Sequence, residues 1–187
     1  MNIKDNIPNL LTASRIITLP LFIVLFFFPQ EGVRWAILTI YILACITDYF
    51  DGYFARRYSN PSTLGTFLDP IADKLLVATL LLLLVAHDKM SVFSSIAAII
   101  ILCREILISG LREFLSDGKT SIPVSQLAKW KTTLQMSALG ILIVADIIGI
   151  WLQVIGELCL WAAAIITLYT GYQYVAQSWE DELKTKL

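Results

Sequence analysis

The sequence predicts an all-α integral membrane protein with six transmembrane helices and both termini in the cytoplasm, forming a single membrane domain over residues 1–187. Hydrophobic residues make up 57% of the 187 residues, charged residues only 16%, and the mean hydropathy is +0.73. A soluble domain typically has about 45–50% apolar and 25% charged residues. A soluble protein of 21.0 kDa has too little interior to bury this much apolar surface, which argues strongly against an ordinary water-soluble enzyme. The net charge of −1 gives no basic excess for nucleic acid.

Six apolar stretches are long enough to cross a bilayer, which requires ~20 mostly apolar residues. In chain order, they are residues 9–29, 34–57, 67–87, 91–115, 125–149 and 152–178. Short polar or helix-breaking connections separate them, at 29–32, 59–62, 87–89, 117–123 and Gly149. The first stretch lacks a small-residue cleavage pattern, so we interpret it as a retained helix rather than a signal peptide.

The basic residues predict the orientation of these helices. The ends of successive stretches lie alternately on the two sides of the membrane. With this alternation, all 14 Lys and Arg residues except Arg34 and Lys89 fall on the same side. Because cytoplasmic loops carry the excess of Lys and Arg, both termini are predicted to be cytoplasmic. The three cysteines, Cys45, Cys103 and Cys159, lie inside apolar stretches without metal-ligand spacing, and we expect them to be buried and unpaired.

Four aspartates lie within the second and third stretches, where ionisable side chains are costly and usually mark a functional site. Asp48 and Asp51 are three positions apart, and Asp69 and Asp73 are four apart, so each pair lies on one helical face. The short turn between the stretches predicts antiparallel neighbours and brings the four carboxylates together near the cytoplasmic surface. Bare carboxylates so close would repel one another. A divalent cation that prefers oxygen ligands removes this conflict and points to phosphate chemistry.

Small and basic residues beside the aspartates fit a nucleotide-sized ligand. Gly52 and Ala55 leave a groove, Gly65 permits close approach, and Arg56 can neutralise phosphate. The alternative is that Gly and Ala serve close helix packing. Arg57 fits a positive-inside anchor.

Residues 48–73 follow the pattern D-x2-D-G-x2-A-R-x8-G-x3-D-x3-D, which resembles the signature of the CDP-alcohol phosphotransferase family. All eight fixed positions match: Asp48, Asp51, Gly52, Ala55, Arg56, Gly65, Asp69 and Asp73. Residues 6–12 with Arg15, and the blocks 104–106, 111–113 and 129–136, resemble the bacterial branch that makes phosphatidylglycerophosphate. The resemblance covers about residues 6–178, and the six-span layout of the family agrees with the six stretches.

The resemblance implies that CDP-diacylglycerol donates its phosphatidyl group to sn-glycerol 3-phosphate by direct in-line attack, with phosphatidylglycerophosphate and CMP as products. It implies one or two divalent metal ions, Mg(II) or Mn(II), held by Asp48, Asp51, Asp69 and Asp73, with Asp73 also acting as the general base. It further implies a homodimer in the bacterial inner membrane, with its active site facing the cytoplasm.

The resemblance also implies a CDP-binding region formed by Asp48, Asp51, Gly52, Ala55, Arg56, Gly65 and Asp69. Asn9 and Thr12 would add hydrogen bonds from the first helix, although Thr12 equally fits a helix cap.

The phosphate of the acceptor needs a separate cationic pocket, for which Arg104, Arg112, Lys129 and Lys131 are the candidates. Arg104 lies ~12 Å deeper along its helix than Arg112, so it should face a cavity rather than lipid. The alternative is pairing with Glu105 or a catalytic Asp. Lys129 and Lys131 point in different directions, ~200° apart on a helix. The family pattern favours Lys129, and the other lysine would anchor lipid headgroups. Thr132 and Gln135 are possible neighbours of this pocket.

Three alternative functions remain open from the sequence. A different acceptor, namely serine, inositol phosphate or phosphatidylglycerol, would keep the family and change the pocket. A cation transporter would use the aspartates for ion binding, but transporters usually show repeated halves. A purely structural subunit would not need four clustered aspartates. Elsewhere, we expect His87 to be solvated, Asp146 and Glu157 to be interfacial, and residues 180–182 to form a solvated tail.

Overall fold

The computed structural model describes residues 16–57, 63–116 and 126–185. Within these ranges, only the backbone is described for residues 48–57, 63–67, 69–70, 112–116, 128 and 177–185. These residues form helices joined by short turns, with no strand among them, which confirms the all-α prediction. The helices are α1 Ile16–Phe26, α2 Glu31–Arg57, α3 Thr63–Ala86, α4 Val92–Ser116, α5 Gln126–Ile148 and α6 Ile150–Thr185.

Three segments are long and apolar enough to cross a bilayer, counting only described residues: Val92–Leu111 in α4, Lys129–Ile148 in α5 and Ile150–Ala176 in α6. Large apolar side chains such as Ile99, Leu107 and Leu168 are exposed on the outside of these helices. A water-soluble protein rarely shows so continuous an apolar surface, whereas lipid tails would cover it at no cost. These segments identify an integral membrane protein.

The interior is built around α5, which packs against α2, α3 and α6. Leucines and isoleucines from α2 to α6 fill this core without exposure, among them Leu80 of α3, Leu139 and Ile143 of α5 and Leu160 of α6. The closest approach is at Gly156 of α6, where an added Cβ would lie 2.9 Å from the side chain of Leu142. Glycine therefore allows α5 and α6 to pack closely, as small residues do in membrane helices.

Two of the predicted connections are confirmed as tight turns. Asp88 adopts a φ of 52°, which Asp tolerates better than most residues, and the amide of Lys89 donates to the carbonyl oxygen of Leu84 at 2.9 Å. Gly149 has a φ of 134°, which only glycine adopts without strain, and it separates α5 from α6. The predicted turn at Gly149 is therefore a single residue.

The helix bounds depart from the predicted stretches at the starts of α2 and α3 and at the end of α6. α2 begins at Glu31, inside the predicted connection 29–32, because no proline follows Pro29 within this helix, and α3 begins at Thr63, four residues before its predicted stretch. α6 continues to Thr185, so residues 180–182 extend the helix, and their solvation stays a prediction. The charged residues there have good helix propensity, and no Gly or Pro interrupts them.

The turn after α3 fixes the relative direction of the early helices. The ring of His87 lies 5.6 Å from that of Phe26 and 5.5 Å from that of Phe27, so the end of α3 meets the end of α1. α2 therefore starts where α3 finishes, and the two helices run in opposite directions. We call the end of the bundle that holds Phe26, Arg34 and His87 the Arg34 end, and the opposite end, which holds Asp73, the Asp73 end.

The environments of His87 and Cys103 correct two expectations. His87 is half-buried against the aromatic rings of α1 and its following turn rather than solvated. None of the three cysteines forms a disulfide, as predicted, but Cys103 is exposed and Cys45 and Cys159 are half-buried rather than buried. Hydropathy places a residue in a membrane helix without indicating whether it faces lipid or protein.

Candidate active site

The aspartates predicted to bind metal lie on two helices. Asp48 and Asp51 belong to α2, and Asp69 and Asp73 belong to α3, so both predicted spacings fall on continuous helix. The Asp73 side chain is exposed, whereas those of Asp48, Asp51 and Asp69 lie outside the described part of the structure. Their convergence stays a prediction.

The donor chemistry of these residues suits a hard divalent ion, since carboxylate oxygen is the preferred ligand of Mg(II) and Mn(II). Among the described side chains, no group of three His, Cys, Asp or Glu residues forms a metal-binding cluster. Asp73 is the single member of the predicted quartet whose side chain is described, so a metal site formed by the four aspartates stays a prediction.

The remaining residues predicted to bind CDP also fall outside the described side chains. Gly52, Ala55 and Arg56 lie on α2, and Gly65 lies on α3. Asn9 and Thr12 lie outside the described residues altogether. For the acceptor pocket, Arg112 lies on α4, and its side chain is likewise outside the description.

Two of the predicted acceptor-binding cations, Arg104 of α4 and Lys131 of α5, meet at one carboxylate inside the helix bundle. The Nζ of Lys131 pairs with Oε1 of Glu105, and Nη1 of Arg104 lies 3.5 Å from the same oxygen. The side chains of Lys131, Arg104 and Glu105 are only 9%, 15% and 19% exposed. Two cations from different helices therefore meet at one carboxylate in a largely desolvated place.

Arg104 is held from the other side by α6. Its Nε donates to the carbonyl oxygen of Thr167 at 3.1 Å, and its Nη2 donates to Oγ1 of Thr170 at 3.1 Å. A Cβ added at Gly171 would lie 3.3 Å from Cγ and 3.4 Å from Nε of Arg104. Gly171 therefore leaves the space along which the arginine lies, and the guanidinium is positioned by α6 as well as by α4.

Two buried oxygens near these cations have no hydrogen-bond partner in the structure, namely Oε1 of Gln135 and Oγ1 of Thr167. Gln135 follows Lys131 by one helical turn on α5 and is 4% exposed, and Thr167 is fully buried. A buried acceptor left without a donor is costly. These oxygens are suited to accept hydrogen bonds from the hydroxyl groups of a small polyol.

The two neighbouring lysines of α5 lie in different environments, as their ~200° separation predicts. Lys131 is buried and paired with Glu105, whereas Lys129 is exposed. The structure thus places Lys131, rather than Lys129, inside the bundle, whereas the preference for Lys129 in acceptor binding stays a prediction. The alternative partner named for Arg104, Glu105, is present.

Sequence reasoning missed the contribution of α6 to this cluster. Thr167, Thr170 and Gly171 form the short pattern T-x2-T-G within an otherwise apolar helix. Hydroxyl groups and glycine in a membrane helix are compatible with ordinary helix packing, so the pattern alone gave no reason to assign a site. Lys74 adds a further contact at this end, donating to Oγ of Ser109 and joining α3 to α4.

Comparisons with a family model and with known proteins find matches over most of the chain. The CDP-alcohol phosphatidyltransferase family model matches residues 5–169. A protein of Rickettsia prowazekii named CDP-diacylglycerol--glycerol-3-phosphate 3-phosphatidyltransferase is 47% identical over 176 residues, 93% of this chain and 96% of that protein. Proteins of the same name are 39% identical in Shigella flexneri serotype 5b, over 95% of this chain and 97% of that protein, and in Haemophilus influenzae, over 92% of each. The chain belongs to the CDP-alcohol phosphatidyltransferase family of enzymes.

Proposed function

We propose that this chain transfers the phosphatidyl group of CDP-diacylglycerol to sn-glycerol 3-phosphate, giving phosphatidylglycerophosphate and CMP. The names of relatives that match nearly the whole chain describe this reaction. The structural observation that carries the proposal is the buried cluster of Arg104 and Lys131 around Glu105. A phosphorylated acceptor needs such a cluster, whereas serine does not.

The acceptor phosphate binds at the two cations of this cluster, Arg104 and Lys131. Arg104 offers a planar fork suited to phosphate, and its remaining contacts with Thr167 and Thr170 fix its direction. Lys131 adds a second charge from the neighbouring helix. The unpartnered oxygens of Gln135 and Thr167 accept hydrogen bonds from the glycerol hydroxyls, which distinguishes a polyol phosphate from inorganic phosphate. Arg112 completes the pocket nearer the membrane surface, and Lys129 is left to anionic lipid headgroups.

The donor binds at the aspartates of α2 and α3. Asp48, Asp51, Asp69 and Asp73 would hold divalent metal, Mg(II) or Mn(II), which would neutralise the diphosphate and the charge that develops on it. Gly52, Ala55 and Gly65 leave room for the cytidine and ribose, Arg56 lies against the phosphates, and Asn9 and Thr12 contribute from the first helix.

The reaction is a single displacement at phosphorus. Asp73 takes the proton of the acceptor hydroxyl, and that oxygen forms a bond to the phosphorus that carries the diacylglycerol. The bond from this phosphorus to the bridging oxygen breaks, and the oxygen leaves as part of CMP. The exposure of Asp73 supports its role as the proton acceptor, because a substrate must reach the carboxylate.

The chain spans the inner membrane six times, with both termini and the Asp73 end on the cytoplasmic side, and acts as a homodimer. The opposite directions of α2 and α3, and the turns at 87–89 and Gly149, support this topology. Soluble glycerol phosphate then meets the lipid donor at the cytoplasmic surface.

The test is CMP release by detergent-purified protein supplied with CDP-diacylglycerol and Mg(II) or Mn(II). Four acceptors are compared: sn-glycerol 3-phosphate, serine, myo-inositol 1-phosphate and phosphatidylglycerol. We expect metal-dependent release with glycerol 3-phosphate alone, and its loss in Asp69→Asn. Release with another acceptor would overturn the pocket assignment and keep the family chemistry. Folded protein that releases no CMP with any acceptor would favour cation transport.

A further inference from the structure

Arg34 is a buried cation at the end of the bundle opposite the active site. It lies in the first turns of α2 and is 2% exposed. Its Cζ lies 5.0 Å from the centroid of the Phe26 ring. Its Nε and Nη1 are buried without a hydrogen-bond partner in the structure.

A guanidinium in this position requires an anion. Arginine stays protonated in proteins, and a buried charge is strongly unfavourable unless it is paired and hydrogen-bonded. The face of Phe26 attracts the positive charge, but it leaves the N–H donors unsatisfied. The net charge of this neighbourhood therefore favours an acceptor with several negatively charged oxygens.

The described carboxylates at the Arg34 end are either engaged elsewhere or solvated. Asp146 pairs with Lys89. Glu157 accepts hydrogen bonds from the amide and hydroxyl of Ser91 and from the hydroxyl of Ser94, at 2.6–2.8 Å. Glu31 and Asp88 are exposed. None of these residues supplies the acceptor that Arg34 requires.

The position of Arg34 is also unusual for a basic residue. It lies about 20 Å along α2 from the positions of the aspartates, so it belongs to the far side of the bilayer. Arg34 and Lys89 are the two basic residues on that side, and Lys89 is the one with a described partner. A basic residue there opposes the expected charge distribution, which indicates that Arg34 binds something rather than orienting the chain.

The local backbone suits a phosphate group. Side chains of a helix point back toward its N-terminus, so Arg34 extends toward the first turn of α2. There the amides of Val33 and Arg34 donate to the carbonyl oxygen of Gln30, whereas those of Glu31 and Gly32 precede these hydrogen bonds and have no acceptor within the helix. His87, whose ring lies 5.6 Å from that of Phe26, borders the same place.

We propose that Arg34 and the first turn of α2 form a phosphate-binding site on the membrane face opposite the catalytic end. A phospholipid headgroup and a soluble phosphate offer the same chemistry, and the headgroup is the phosphate present at that depth. The site is independent of the transfer reaction, because it lies across the bilayer from the aspartates.

The test compares wild type with Arg34→Met in a phosphate-free sugar detergent. Thermal unfolding and native mass spectrometry are followed during titration with dioleoyl-phosphatidylglycerol, with dioleoylglycerol, which lacks a phosphate, and with inorganic phosphate. Lys89→Met is the matched control, since it removes a positive charge from the same end. Both proteins retain the proposed active-site pocket, so lipid binding there contributes equally to their unfolding midpoints and to their mass spectra. The difference between wild type and Arg34→Met therefore reports the Arg34 site alone.

We expect phosphatidylglycerol to raise the unfolding midpoint of wild type and dioleoylglycerol to leave it unchanged. Arg34→Met should bind one lipid fewer, or should bind it about tenfold more weakly, as the loss of one charge-assisted contact implies. Lys89→Met should keep the wild-type response. A response to inorganic phosphate that is lost in Arg34→Met would assign the same site to a soluble phosphate. Equal responses of wild type and Arg34→Met would overturn the proposal. If Arg34→Met does not fold, a wild-type midpoint insensitive to both phosphate sources would overturn it equally.

Discussion

Lys131 of α5 and Arg104 of α4 share a single carboxylate, that of Glu105, with Arg104 Nη1 3.5 Å from the oxygen that Lys131 contacts. The arrangement holds two cations from different helices together in a largely buried place before any substrate binds. If the acceptor phosphate binds there, as proposed, the helices need not move to bring the two cations together. Each side chain of this cluster can be tested separately.

The two lysines of α5 provide a matched pair for the acceptor pocket. Lys131→Met removes a buried charge and should raise the KM for glycerol 3-phosphate about ten- to a hundredfold, the range expected for a lost hydrogen bond to a charged group. Lys129→Met removes an exposed charge and should change KM less than about threefold. Steady-state CMP release at varied acceptor concentration measures both. Equal effects of the two substitutions would contradict the inward placement of Lys131.

Glu105→Gln removes the shared carboxylate while keeping its shape. Lys131 and Arg104 lose the anion that holds them, so we expect the acceptor KM to rise about tenfold and the KM for CDP-diacylglycerol to stay near its wild-type value. Measuring the two KM values separately distinguishes a positioning role from general instability. A parallel change in both would show that Glu105 supports the fold rather than the pocket.

Gly171→Ala tests the space along Arg104. The new Cβ would lie 3.3 Å from Cγ of the arginine, so the side chain must shift by a few tenths of an ångström from Thr167 and Thr170. We expect kcat/KM for the acceptor to fall several-fold with little loss of stability. Gly110→Ala is the control, because a Cβ there meets nothing within 4 Å. If both variants behave alike, Gly171 does not position Arg104.

Two carboxylates at the Arg34 end should differ in their effect on stability. Glu157→Gln weakens the hydrogen bonds that the carboxylate accepts from Ser91 and Ser94 at the start of α4. The free energy of unfolding should therefore fall by about 1–3 kcal/mol. Asp146→Asn breaks an ion pair in which Asp146 is 36% exposed and should cost about 0–1 kcal/mol. Reversible unfolding in mixed micelles compares them. A larger loss for Asp146→Asn would reverse this ranking.

Metal removal tests the aspartates directly. Chelation should abolish CMP release, and added Mg(II) or Mn(II) should restore it, because the developing charge at the diphosphate is otherwise unscreened. Asp73→Asn should lower kcat by at least about a hundredfold, as the loss of a general base implies, with folding unchanged. Activity that persists in chelator would remove the metal from the proposal.

The sequence predicted the parts of the fold and site that depend on local pattern. The turns at Asp88 and Gly149 follow from residues that tolerate positive φ, and the inward placement of Arg104 follows from the cost of a charge facing lipid. The contributions of Thr167, Thr170 and Gly171 did not emerge, because they act through a contact 63–67 positions away along the chain. The choice between Lys129 and Lys131 depends on the rotation of α5, which is set by its packing against α2, α3 and α6.

α6 does not stop where its apolar segment ends. The segment Ile150–Ala176 is followed by helix as far as Thr185, roughly 13 Å more at the rise of an α-helix. The chain therefore continues beyond its apolar segment as helix. Because this extension belongs to the same helix as Thr167 and Thr170, which hold Arg104, a partner that tilted it would also move the support of Arg104.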